Sequence, residues 1–482
     1  MEIDAKKKRD YIYHDLTQGM CRQCRKLVDA QILFREDRVF LRSICPIHGS
    51  TEALIAESSA WYKRTMNSRQ ISDKPRIVSK PIEKGCPFDC GLCGWHEKTC
   101  HLPIFSITNA CNLKCPICFT YNREDQTYFM SEKEFQNIID WIIESEGQVD
   151  LINITGGEPT LHPNLMQLIR LCKRKEIGRV TLNSNGIRIS KDENFVKQIG
   201  EEGVYIVLSL NTFRSETSLL MHGLDIVQEK LSALKNLEKY NVQTTLLNVM
   251  VKGVNDDEIH DIIDLMLTKD FIRSVTIQTM TYTGFGGGKF QPRRHLPIDD
   301  VINSIVKSHP MYLRHDDFTP LRGTNPLCYS VAYLFVYENM VLPLRRLFSE
   351  TECEQIIGKK YLIHPDESLQ DILTNKINEI WAEDGKGSEK EQKLFFLKQL
   401  IAELYPVGKK INAFERQKIA EKFIKTIYIH AHMDEDTFDV SRVVRCGDLV
   451  PDSTKTFTPA CTYNLFYRMR DSRFWREDAG VC

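Results

Sequence analysis

No stretch of these 482 residues reaches the ~18 uncharged apolar positions that a membrane-spanning helix needs, and the first residues hold no apolar signal core. The chain is therefore expected in the cytoplasm, and any work on lipid would be done from the membrane surface as a peripheral contact. Charge of neither sign dominates. Lys plus Arg number 64 and Asp plus Glu 65, so no global field favours nucleic acid or an acidic partner. The basic run Lys6-Lys7-Lys8-Arg9 is short and reads as a solvated tail. Low-complexity segments are absent, and the only internal repeat is a doubled cysteine pattern.

Cysteine is what the chain has in quantity: 16 residues. A cytosolic compartment keeps thiols reduced, which excludes a disulfide framework, and clustering at ligand spacings points to metal sites instead. The segment "GCPFDCGLCGWHEKTCHLPIFSITNACNLKCPICF", residues 85–119, carries Cys-x3-Cys-x2-Cys twice, as Cys86, Cys90, Cys93 and as Cys111, Cys115, Cys118. Cys172, on the helical pattern "LMQLIRLCKRKE", reads as a buried small hydrophobe, and it and Cys482 are expected to be free.

The texture of the chain divides it into four parts. Residues 1–80 are irregular with short strand-like stretches, and 81–103 form a Gly- and Pro-containing loop around the first triad. Residues 104–288 alternate short β-branched runs ("PIFSIT", "DLINIT", "GRVTLNS", "VYIVLSL", "QTTLLNVMV", "SVTIQTM") with amphipathic segments such as "SEKEFQNIIDWIIES". Six such units predict an α/β core with a parallel sheet and right-handed crossovers. Six are too few for a closed eight-stranded barrel, so a partial (β/α)6 barrel is expected, with ligands at the carboxyl ends of its strands. Residues 289–482 are mixed: a strand pair at 332–344, polar helices to about 429, and an irregular last fifty residues.

The second triad follows the first strand of the core, and aromatic Phe119 follows its last cysteine. A cubane [4Fe–4S] cluster normally takes four thiolates, so three leave one iron open to a small molecule. "CNLKCPICF" after one strand and "GGEPT" (156–160) after the next closely resemble the radical S-adenosylmethionine (SAM) superfamily over about residues 104–285. The resemblance implies that SAM chelates the open iron through its amino and carboxylate groups, that one electron cleaves its sulfonium C–S bond, and that a 5′-deoxyadenosyl radical abstracts hydrogen from an unactivated carbon. It implies that Gly156 and Gly157 let backbone approach the ligand without a Cβ clash, that Glu158, beside Pro159, accepts from the SAM ammonium, and that Asn183, Asn185, Ser209 and Asn211 meet its ribose and carboxylate.

Cys86, Cys90 and Cys93 lack a leading strand and a glycine-rich partner. With Cys100 as fourth thiolate they would hold a closed auxiliary [4Fe–4S] cluster; His96 is the competing ligand. Cys21, Cys24, Cys45 and His48 have the spacing of a zinc-ribbon or rubredoxin-like knuckle for one tetrahedral Zn or mononuclear Fe. Cys328, Cys446 and Cys461, in irregular segments, could build a second auxiliary cluster, with Cys353 as an optional fourth ligand. "HAHMDEDTFD" (430–439) reads either as a ligand or proton-donor segment through His430 and His432 or as a solvated acidic helix end. Nearby Arg442, Arg445 and Asp448 carry no assignment.

In order along the chain, the "CxxC…CPxHG" knuckle, "GCPxDCGLC" before the core triad, "HAHMDEDTFD" and a final "CTYNL" resemble the tetraether lipid synthase group, some members of which are described as dihydropterin methylases. That resemblance implies radical joining of hydrocarbon chains by a C–C bond; the alternatives are methylation of a pterin-type small molecule and modification of a peptide. Each needs a reductant of the ferredoxin or flavodoxin kind, and none needs nucleic acid.

Overall fold

The computed structural model describes residues 9–68, 72–120, 127–284, 286–337, 340–357, 365–383 and 387–474; the terminal basic run, apart from Arg9, and Cys482 lie outside them. The N-terminal region is more regular than its sequence texture predicts. Strands β1 (Ile12–Met20), β2 (Leu27–Arg35), β3 (Arg38–Cys45) and β4 (Gly49–Ala56) form an antiparallel sheet in the order β1-β2-β3-β4. One face of it buries Ala30, Ile32, Phe34, Val39 and Leu41 against Tyr62. The period-two alternation behind this is present in "LVDAQILFR", where Val28, Ala30 and Ile32 are buried and Asp29 is exposed.

The core follows the predicted alternation. Strands β5 (Leu102–Ser106), β6 (Ile152–Thr155), β7 (Val180–Ser184), β8 (Tyr205–Ser209), β9 (Thr244–Met250) and β10 (Ile272–Thr279) pair parallel in sequence order. The crossover helix Glu132–Glu146 shows why the segments fold locally as they do. Ser131 caps it by accepting from Glu134 N, Gly147 ends it at φ 79°, and Phe135, Ile138, Ile139 and Ile142 form its buried stripe.

The C-terminal residues differ from expectation. Strands β11 (Thr319–Pro320), β12 (Tyr329–Tyr337) and β13 (Met340–Pro343) precede a helical layer, but "IKTIYIH" is not a helix end: it is strand β14 (Ile424–His430), parallel to β10 with Ser274 opposite Thr426 and Gln278 opposite His430. Strand β15 (Asp448–Pro451), paired with β16 (Phe457–Pro459), runs parallel to β5 at the other edge. The sheet therefore reads β11-β12-β14-β10-β9-β8-β7-β6-β5-β15-β16. A short apolar run bounded by polar helix gives no periodicity that separates a buried strand from a helix end. His430 therefore ends beside the carboxyl end of β10, whereas Asp448 opens β15 opposite Leu102, the first residue of β5.

Candidate functional site

The carboxyl ends of β5 and β6 are locked together by two glycines. At Gly156 (φ 149°) a Cβ would stand 2.2 Å from Thr108 O, and at Gly157 one would stand 2.2 Å from Ala110 O. Gly157 N donates to Thr108 O at 2.8 Å and Glu158 N to Ala110 O at 2.7 Å. The glycines are thus needed for the approach of the 107–118 loop to the next strand, a closer constraint than ligand access. Pro159 opens the short turn that follows, capped by Glu158.

That loop presents Cys111, Cys115 and Cys118, all half-buried. Burial pushes the Cys111 thiol up to about 11 and Cys115 up to about 12, each further opposed by the charges of its neighbours. Three thiolates that disfavour one another in a half-dry site require a bound cation to compensate them, and this donor set fits an iron–sulfur cluster with an open iron. Behind them the turn after β10 closes in: Gly286 N donates to Cys118 O at 3.0 Å, and Gly284, at φ 59°, leaves only 2.5 Å between a built Cβ and Phe119 backbone.

The polar residues expected to meet SAM divide into two kinds. Asn183 and Ser209 line the central cavity, and among the described residues neither the buried Asn183 Oδ1 nor the cavity-lining Ser106 Oγ has a hydrogen-bond partner. These are groups a polar ligand would satisfy. Asn185 and Asn211 also line the cavity, but their amides are engaged within the protein. Asn185 Nδ2 donates to Asn112 Oδ1 at 2.7 Å, and Asn211 Oδ1 accepts from Val249 N at 2.7 Å. Glu158, which also lines the cavity, has internal partners as well. Its buried carboxylate accepts from Thr160 Oγ1 (2.6 Å), Ser184 Oγ (3.0 Å) and Asn185 N (2.7 Å), so it braces β6 against β7.

Lys230 was missed by the sequence reading. Its ammonium, fully buried on the apolar stripe of the helix Val227–Lys239, donates to Asn185 O and lies near Ser209 Oγ. Burial lowers it to about 8, opposed by the Cys115 and Glu158 charges. A lysine at the i+3 position of an apolar stripe was the available signal.

The N-terminal knuckle converges: one ligand atom each from Cys21, Cys24, Cys45 and His48 lies within 4.8 Å of the others. Backbone N–H groups of His48 and Ile47 lower the Cys45 thiol to about 6, which favours the thiolate a tetrahedral ion takes.

Two cysteines of the first triad, Cys86 and Cys90, belong to an apolar cluster that also includes Cys461 and Leu27. Asp89 holds its loop by accepting from Glu83 N (2.8 Å) and Gly85 N (2.7 Å). Neither expected fourth ligand is brought to it. Cys100 is buried in the barrel core, and its interactions run to Glu146, Asp448 and Cys446. His96 Nε2 donates to Cys446 O at 2.8 Å. Both were chosen on sequence nearness, which the chain's turn at Gly94 and Trp95 undoes.

Cys328, Cys446 and Cys461 line one small cavity together with His432 and Arg442. Arg442 Nε donates to Cys328 Sγ at 3.3 Å, and Cys461 Sγ lies 3.6 Å from His432 Nδ1. Burial holds His432 neutral, down to about 4, so its imidazole is a competent ligand. Cys353 is excluded: it lies on the helix Glu350–Ile357 inside a separate apolar core and donates to Phe348 O. Cys172 is buried with its thiol on Leu168 O.

The "HAHMDEDTFD" segment is no solvated helix end. His430 ends β14 and stacks on Tyr329 at 3.9 Å, and Asp434, Glu435, Asp436 and Asp439 are all buried. They clasp ribbon to barrel: Asp436 pairs with Arg22 and Arg293, Glu435 with Arg25, Asp439 with Thr17, and Asp434 accepts from His295 Nε2 and Tyr282 N, both at 3.0 Å. Asp448 takes up Tyr329 and His101, and Arg445 pairs with Glu97. Asp434 is held below the usual carboxylate range and His295 above the usual imidazole range by their pairing. The Asp434 contribution is present above the ordinary Asp value and fades as pH falls. The His295 contribution is full below the ordinary His value and fades as pH rises through its raised folded value. Asp434→Ala should therefore cost about 3–5 kcal/mol, most visibly near pH ~5, measured as a fall in thermal midpoint against pH; a midpoint unchanged across that range would refute the clasp.

Comparison with known proteins places these sites. Residues 105–266 match the radical SAM superfamily, and residues 13–57 match the HMPTM N-terminal zinc ribbon domain. The 7,8-dihydro-6-hydroxymethylpterin dimethyltransferase of Methanocaldococcus jannaschii is 26% identical over 496 aligned residues, covering 94% of this chain and 94% of that one. GTP 3′,8-cyclase of Chlorobaculum tepidum is 31% identical over 176 residues, 36% of this chain and 52% of its own. Among solved structures, Streptococcus suis SuiB bound to S-adenosylmethionine aligns with a TM-score of 0.38 and 20% identity, over 44% of this chain and 47% of that one. Among the described residues no helix is long and apolar enough to cross a membrane.

Proposed function

From the premise that the chain is a radical SAM enzyme carrying a zinc ribbon, we propose that it activates unactivated C–H bonds of long hydrocarbon substrates and joins two carbons into a C–C bond. A radical SAM domain uses a [4Fe–4S] cluster and SAM to supply a 5′-deoxyadenosyl radical. Cys111, Cys115 and Cys118 would hold the cluster, and the orphaned oxygens of Asn183 and Ser106 suit the polar parts of SAM.

The observation that carries the substrate class is the shape and wall of the cavity. It measures ≈ 1180 Å³ and extends from the cysteine loop down the barrel interior to Arg179, Arg273 and Glu421 at the opposite strand ends. This exceeds the roughly 300–1,000 Å³ of a cleft for one compact ligand. Besides the unpartnered Asn183 Oδ1 and Ser106 Oγ, its wall carries hydroxyls and amides that pair with one another. Thr181 Oγ1 donates to Asn153 Oδ1 at 3.0 Å, and Thr245 and Ser274 share a bond at 2.8 Å. A site that selects a polar molecule keeps unpaired donors and acceptors for it. Paired walls between Leu102, Leu151, Val207 and Leu247 suit an aliphatic chain instead.

Joining would remove one hydrogen atom from each of the two carbons that form the new bond, two hydrogens per bond made, with bound SAM supplying the hydrogen-abstracting radical. A second reading, methylation of a pterin-type molecule, is favoured by the full-length similarity to the dihydropterin dimethyltransferase. Anaerobic incubation of reconstituted enzyme with SAM, reductant, and either isoprenoid or fatty-chain lipids or a dihydropterin separates them by mass spectrometry. A lipid product short of two hydrogens per new bond is expected. A methylated pterin with unchanged lipid would move the assignment to the second reading.

A further inference from the structure

We infer that electrons enter this protein at the loop of the first cysteine triad, where an acidic, low-potential one-electron carrier protein docks. The inference rests on reading Cys86, Cys90 and Cys93 as an iron–sulfur site and is independent of the substrate. Cys86 and Cys93 are half-buried, and over them lies an exposed apolar surface that folding does not explain. Trp95 is 54% exposed, Phe88 43% and Ile82 38%. These side chains are not scattered. The Trp95 ring lies against Gly85, Ile82 against Gly94, and Phe88 meets Phe466 edge-on at 6.1 Å. An exposed aromatic patch of this kind marks an interface.

Basic side chains outnumber acids around the rim of this patch. Lys84 is exposed on the same loop next to exposed Glu83, Arg470 is exposed beyond Tyr467, whose hydroxyl accepts from Cys90 N and donates to the Phe88 carbonyl, and Lys26 is exposed beside Leu27, which belongs to the same apolar cluster as Cys86 and Cys90. The buried acids opposite the ribbon arginines are already paired, so this rim complements an acidic partner. Such complementarity sets the association rate more than the affinity.

Two links continue inward. Cys86 and Cys90 belong to the same apolar cluster as Cys461, and His96 Nε2, three residues beyond Cys93, donates to Cys446 O at 2.8 Å. The cavity of Cys328, Cys446 and Cys461 includes His432, which stacks on Phe119 at 5.3 Å, and Phe119 is bonded to Cys118. One electron passes along this line and the carrier is oxidised by one electron; no bond is made or broken. The substrate cavity stays free of the carrier.

The test mixes reconstituted full-length protein of measured iron and sulfide content with a photoreduced acidic flavodoxin and follows the loss of visible cluster absorbance in a stopped-flow instrument. Lys84→Glu combined with Trp95→Glu is expected to slow that reduction by about tenfold or more and flatten its dependence on salt. Reduction by dithionite should be unchanged, and Trp381→Glu, an exposed tryptophan on the C-terminal helical layer, should leave the flavodoxin rate alone. Equal rates for the double variant and the native protein overturn the docking site. Undiminished flavodoxin reduction of the core cluster in Cys90→Ala, with its iron loss confirmed, overturns the route. Failure of the first triad to contribute iron at all overturns the underlying ligand reading separately.

Discussion

Cys115→Ala abolishes 5′-deoxyadenosine formation, with any reductant and at any SAM concentration. Cys115 lies mid-loop between Cys111 and Cys118, beneath the Gly157 clamp and beside the buried Lys230, and its thiol is pushed up to about 12 until a cation compensates it. On the proposed assignment, alanine would remove one of three protein ligands from a cluster that has only three. The measurement is anaerobic single-turnover chromatography alongside iron analysis, and iron should fall by about four per chain. Cys90→Ala provides the contrast. It should also lose iron, yet retain SAM cleavage with dithionite while forming no coupled product. Equal and total loss of cleavage in both variants would show that the two triads do not divide the work as described.

Gly157→Ala is expected to lower turnover by about 10²-fold while leaving all cysteines in place. The added methyl would stand 2.2 Å from Ala110 O and 2.7 Å from Asn109 O. Both neighbours are backbone, so the loop must move by more than an ångström. The bonds Gly157 N to Thr108 O and Glu158 N to Ala110 O would open with it, shifting Cys111 relative to the polar strand ends. A stability loss of about 1–3 kcal/mol should accompany the change. Turnover and SAM affinity, measured on protein with full iron content, check it; native turnover would mean that the strand-to-loop clamp does not position the site. Gly387, where nothing lies within 4 Å and φ is −164°, is the control for a glycine substitution without clash or strain.

The core of this protein was legible because its chemistry is local. Cys111, Cys115 and Cys118 fall within eight residues, and the strand–helix alternation that carries them is written in short-range periodicity. The knuckle was legible for a related reason: Cys-x2-Cys and Cys-x2-His each make one turn, and the antiparallel pairing of β2 with β3 and β3 with β4 brings the two turns together. Glu158 was found at a cavity-lining strand end, but its internal partners Thr160, Ser184 and Asn185 left no trace in the sequence.

The chain alone pointed to the radical SAM core, to Cys111, Cys115 and Cys118 as the cysteines proposed to hold its cluster, and to the tetrahedral knuckle, because spacing within one loop dictates which donors meet. Tertiary structure decided the rest. It brought Cys328, Cys446 and Cys461 around one cavity with His432, removed Cys100, His96 and Cys353 from the ligand sets proposed for them, and turned an acidic run into a buried clasp. The physical reason is one long-range pairing event at each sheet edge. Strand β14 joins β10 and strand β15 joins β5, and contacts between residues more than a hundred positions apart leave no periodic trace in the residues that make them.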